Sequence, residues 1–177
     1  DLVALMVLEH QTQMQNLITL ARYEEIRGRE YDKSMNAALD RDPKFQSEFT
    51  KRRTTRTTNS LVRYLLFADE FQLTAHVKGT SSFTKTFSKR SPRDNQGRSL
   101  YQLDLQERLF RYPLSYMIYS ASFKQLAPAT LKLVAQKLHQ LLTADVNEEG
   151  LDHLTPKLKL ALLDILKQTH PQIVKYW

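Results

Sequence analysis

The chain has 177 residues, 41% hydrophobic and 25% charged, with a net charge of +7, four glycines, six prolines and no cysteine. That balance suits one globular domain with a sizeable core, and the scarcity of glycine argues for long helices over many tightly turned strands. The lack of cysteine excludes disulfides, thiolate metal sites and covalent haem attachment within these residues. The longest apolar run, Leu2 to Leu8, is too short to span a bilayer and lacks the flanks of a signal peptide.

At the helical advance of about 100° per residue, Leu2, Val3, Met6, Val7, His10, Met14, Leu17 and Ala21 share one face. The spacing predicts a first helix from Leu2 to about Glu30, fraying at Gly28 and resuming to Ala38. His10 and Met14 then point inward, and imidazole and thioether are both ligands for a metal or haem iron. Both are equally ordinary core residues. At i, i+4 on one helix they cannot approach an iron from its two opposite faces, so at most one serves as an axial ligand. Asp1 enters this apolar helix with no residue before it to cap the turn. The expectation is the C-terminal part of a longer protein, with an apolar patch covered by further sequence or a partner chain.

Further along, Asp40 to Pro43 reads as a turn, and residues 44–60 are polar and Thr-rich, either a loop or the start of a helix. Leu61, Val62, Leu65, Leu66 and Phe67 predict a short amphipathic helix ending near Glu70. Residues 78–99 form a long irregular loop punctuated by Gly79, Pro92 and Gly97, with Phe83 and Phe87 spaced to anchor one short helix. Leu100, Leu103, Leu105, Leu109 and Phe110 predict a helix broken before Pro113. Residues 114–119 have the propensity of a buried strand, though their helical neighbourhood favours a buried helix. Pro128 opens a helix through Leu131, Val134, Leu138 and Leu141, and residues 145–150 turn. Thr155 with Pro156 then caps and opens a last helix that His170-Pro171 closes. The fold class is therefore all-α, a single domain over residues 1–177 of about five to seven helices, with one irregular loop near 78–99.

The positive charge is local. Lys51, Arg52, Arg53 and Arg56 form one basic segment, and Lys85, Lys89 and Arg90 belong to a second. Both read as solvated charge or as a surface for an anionic partner such as nucleic acid, lipid headgroups or an acidic protein. No nucleic-acid motif accompanies them, which weighs against nucleic acid. A further arginine block, Arg93, Arg98, Arg108 and Arg111, has forks that hold carboxylates or cofactor propionates, or that staple the loop through internal Arg–Asp pairs. The five histidines are too scattered for a metal cluster, and no serine elbow or phosphate loop is present. No catalytic residue is assigned.

Four stretches carry a resemblance: DLVALMVLEHQTQMQNLITLARYE, LVRYLLF, the block PRDNQGRSL…RLFRYPLSYMIYS, and LLDILKQTHPQIVKYW. Together they resemble the C-terminal part of a family of uncharacterised exported bacterial proteins associated with c-type cytochromes. The resemblance implies a periplasmic or otherwise exported setting and an electron-transfer context. It also implies haem c carried by an upstream segment rather than by these residues. Where that family often has a cysteine, this chain has Leu114. The expected function is a non-catalytic, cytochrome-associated domain packing near a haem carried elsewhere, with His10 and Met14 at the contact and Arg93, Arg98, Arg108 and Arg111 meeting propionates. The alternative is an interaction module that takes an anionic partner on its basic segments.

Overall fold

The structure, a computed structural model, describes residues 1–177. Asp1 is itself a helix cap. Its carboxylate accepts from the Ala4 amide at 3.2 Å and opens α1 (Leu2–Ala38). The same carboxylate accepts from the amide and hydroxyl of Ser81 at 2.8 and 2.6 Å, tying the start of α1 to the middle of the chain. The expectation of an uncapped start is thus corrected.

α1 also runs unbroken through Gly28, contrary to the predicted fray. A Cβ at that position would lie 2.6 Å from Thr50 Cγ2, so the missing side chain lets the next helix approach. That helix, α2 (Glu48–Leu65), starts at the Ser47 cap, whose side chain accepts from the Thr50 amide. It includes the Thr-rich stretch and stops short of Glu70, because Phe67 and Asp69 adopt φ of 56° and 60° and the Asp69 amide turns to the Gly150 carbonyl.

α1 and α2 pair antiparallel in two differently built halves. The outer half is held by polar contacts: Arg53 to Glu24, the Ser47 amide to Asp32, and Asn36 to the Phe45 carbonyl. The inner half is apolar, with Val3, Val7, Met14 and Ile18 of α1 joining Leu61, Val62 and Leu65 of α2 in one cluster of 33 buried hydrophobic residues that makes the molecule a single domain.

Residues 66–115 contain only α3 (Phe83–Ser88), so the irregular region is longer than residues 78–99. Phe87 of α3 is buried, as its spacing from Phe83 suggested. The helix predicted over 100–110 is absent. An isolated antiparallel bridge between Leu103 and Phe110 folds this stretch back on itself. Asp104 drives the reversal by accepting from the Gln106 and Glu107 amides, a local bond that competes with helix formation, while Leu105 takes φ of 66°.

A 3-10 turn at Tyr116–Tyr119 and α4 (Ala121–Lys124) then lead to α5 (Pro128–Thr143), α6 (Pro156–Thr169) and α7 (Pro171–Val174). Thr155 caps α6 through the Leu158 amide as its sequence predicts. There is no strand, and no helix is long and apolar enough to cross a membrane.

Candidate functional site

His10 lies on the inward face of α1 and is 5% exposed. Its Nε2 shares a hydrogen bond of 2.7 Å with Ser115 Oγ. The ring stacks on Phe67 at 4.6 Å and on Tyr64 at 5.3 Å, with Phe110 and Tyr116 tilted against it. Burial lowers its pKa to about 4, so the imidazole is neutral at pH 7. A serine and an imidazole at this distance have the spacing of a nucleophile and its base. Here, however, Ser115 is wholly buried, its oxygen also accepts from the Met117 amide, and no carboxylate bonds to the other ring nitrogen. The pair is a core hydrogen bond.

His10 also lines a groove of about 1010 Å³ between the first turns of α1 and the turn that follows α2. Buried His10 and Phe67 floor it, while Leu5, Leu8 and Phe71 stand at its edges, 61%, 56% and 78% exposed. Leu2 extends the same exposed row toward the helix start and is not buried with Val3 as its helical position predicted. Its charged lining residues are Glu9, Asp69 and Glu70, with no lysine or arginine among them. Burial pushes the Glu70 carboxyl up, opposed by the Leu109 amide and by Arg108. Met14, one turn beyond His10, is wholly enclosed and does not reach the groove.

The arginine block does not converge. Arg93 bonds the carbonyls of Gly97, at 2.8 Å, and of Ser88. Arg98 pairs with Asp94 at 2.6 Å and Asp164 at 3.3 Å, pinning its loop to α6. Burial pushes the Asp94 carboxyl up, but the Arg98 guanidinium and the Arg98 and Gln96 amides outweigh it and hold it below the ordinary carboxylate range. Arg108 lines an adjoining cavity of about 420 Å³ that has no hydrophobic side chain in its lining and shares Asp69 and Glu70 with the groove, and Arg111 lies exposed over the Tyr112 ring. Two of the four therefore staple the loop.

The basic segments are likewise separate. Arg53 is spent on Glu24 and Lys51 pairs with Glu48, which leaves Arg52 and Arg56 unpaired on the open side of α2. Lys85 and Lys89 of the second segment are exposed, and Arg90 covers the Phe87 ring. Arg53 sits against Glu24 while the second segment adjoins the Asp1 end of α1, about 35 Å away along the helix at 1.5 Å per residue. No group of three His, Asp or Glu side chains is placed to hold a metal ion. His153 and His170 bond the Leu66 and Ile118 carbonyls, and His139 stacks on Trp177.

The groove residues Leu5, Leu8 and Phe71 were not anticipated as a site. Leu2, Leu5 and Leu8 recur every three positions beside the buried stripe, a widening of the apolar arc that was visible in sequence. Nothing in sequence placed Phe71 across from them. No protein-family model, no curated protein and no solved structure matches this chain.

Proposed function

We propose that this chain is a non-catalytic docking domain that takes an apolar helical segment of a partner polypeptide into the groove beside His10. The observation that carries the reading is the pair Leu5 and Leu8, each more than half exposed, facing Phe71 over an apolar floor, with exposed Leu2 continuing their row along α1 beyond the groove. Exposed leucines scattered singly need no explanation, whereas a contiguous row along a built groove marks an interaction site. The partner suggested by the cytochrome-associated resemblance is a haem-carrying segment or chain. On this reading the groove packs on that partner's protein surface, because His10 Nε2 is committed to Ser115 and three carboxylates are ill suited to propionates.

The test uses a fluorescent synthetic amphipathic peptide of about five helical turns, leucine on one face and glutamine elsewhere. Its anisotropy should rise on titration with the chain. Leu5→Ser and Leu8→Ser should abolish that rise, and Leu160→Ser, at an exposed leucine outside the groove, should not. Equal binding by all three variants contradicts the assignment.

A second reading is favoured by the unpaired Arg52 and Arg56 on α2: an anionic partner held on that face. Retention on heparin should then fall steeply with salt and disappear in Arg52→Gln/Arg56→Gln. Retention that survives the double substitution removes α2 from consideration.

A further inference from the structure

The charge of the groove opposes that of the chain. The chain carries +7, yet every charged residue lining the groove is a carboxylate. Asp69 is answered internally by Arg63 at 2.8 Å. Glu9 is exposed and has no ion-pair or hydrogen-bond partner in the protein. Glu70 is partly buried, and its carboxylate receives only the Leu109 amide at 3.4 Å. Arg108, whose charge also acts on it, forms no ion pair with it and lines the adjoining polar cavity, not the groove. An apolar cleft flanked by two carboxylates without ion pairs is complementary to an apolar ridge flanked by cations.

We infer that the segment docking in this groove is a basic amphipathic helix, its apolar side chains between Leu5, Leu8 and Phe71 and its Lys or Arg side chains against Glu9 and Glu70. The inference rests on the docking reading above and adds the occupant's chemistry. A helix is indicated because the chain has no strand and so offers no sheet edge for an extended peptide to join. The exposed leucine row of α1 is a helical ridge lacking its partner, and such ridges pack against other helices. The lining from Leu5 to Gln13 runs about 12 Å along α1, enough to seat two turns of a second helix.

Two labelled peptides of about five turns, identical in their leucine face but carrying lysine or glutamate elsewhere, separate the possibilities. The intact chain should bind the lysine peptide about fivefold more tightly than the glutamate peptide at low salt, the worth of two surface ion pairs. The protein's net charge favours the opposite order, so the direction of preference reports the groove itself. Glu9→Gln/Glu70→Gln should erase the preference while keeping the leucine-dependent binding, and Leu5→Ser should abolish binding of both peptides. Equal or reversed affinities that still depend on Leu5 overturn the basic-helix inference and leave the docking reading standing. Binding of neither peptide overturns both.

Discussion

His10 Nε2 and Ser115 Oγ, 105 positions apart, share a 2.7 Å hydrogen bond inside the core. The bond joins α1 to the 3-10 turn and places the imidazole between the aromatic cluster and the groove. Ser115→Ala leaves that nitrogen unsatisfied and should cost about 1–3 kcal/mol in urea unfolding. His10→Ala, which also empties an aromatic-sized volume, should cost about 3–5 kcal/mol. The double variant should be less destabilised than the two losses added together, since both remove one interaction. Strict additivity would show that the bond is not formed.

Acid should weaken the fold through His10. Its pKa is held at about 4 in the folded protein against 6.5 unfolded, so below 6.5 the unfolded chain takes up a proton that the folded chain does not. The stability tied to a neutral His10 is fully present above pH 6.5, declines between 6.5 and about 4, and then levels off. That loss is about 3 kcal/mol, and the burial-lowered His153 and His170 act in the same direction. Urea midpoints at pH 7, 5.5 and 4.5 measure it. His10→Phe should flatten much of the slope, and an unchanged slope in that variant would contradict the assignment.

Gly28 should resist a substitution that helix propensity favours. Alanine gains about 1 kcal/mol of propensity in a helix interior, but here its Cβ would meet Thr50 Cγ2 at 2.6 Å and push α2 away. Gly28→Ala should therefore lower stability by about 1 kcal/mol or more. In a Thr50→Ser background, which lacks the obstructing methyl, the same change should become neutral or stabilising. A stabilising Gly28→Ala in the native background would refute the close approach.

Asp94 organises the loop before the Leu103–Phe110 reversal. Its side chain is wholly buried and accepts from Arg98 Nε and from the Arg98 and Gln96 amides. Asp94→Asn removes the charge opposite a mostly buried guanidinium and should cost about 2–3 kcal/mol. Limited proteolysis should then cut between Arg90 and Arg98 before any other site. Native-like resistance there would mean that the Arg98–Asp164 contact suffices.

The sequence was legible where apolar spacing and end signals agree. Pro128, and Thr155 with Pro156, mark the starts of α5 and α6, and their leucines repeat at helical intervals. The first half of α2 was illegible because the face it buries is Thr50, Thr54 and Thr58, a helical stripe without hydrophobic contrast. Leu105 and Leu109 mimic helical spacing, and only the Asp104 side-chain bonds and the left-handed Leu105 reveal a reversal. At the site, the inward His10 followed from periodicity. The groove did not, because its far wall depends on where the chain turns after α2.

The docking account is tested most directly by mapping a bound helix onto the chain with backbone amide NMR shifts. Titration with the leucine–glutamine peptide should move the amides of Leu5 to Gln13 and of Phe67 to Leu73, the two sides of the groove. Lys51 to Arg63 on the basic face of α2 should stay still. Shifts confined to α2, or none at all at saturating peptide, would contradict the claim that this groove is the protein's binding surface.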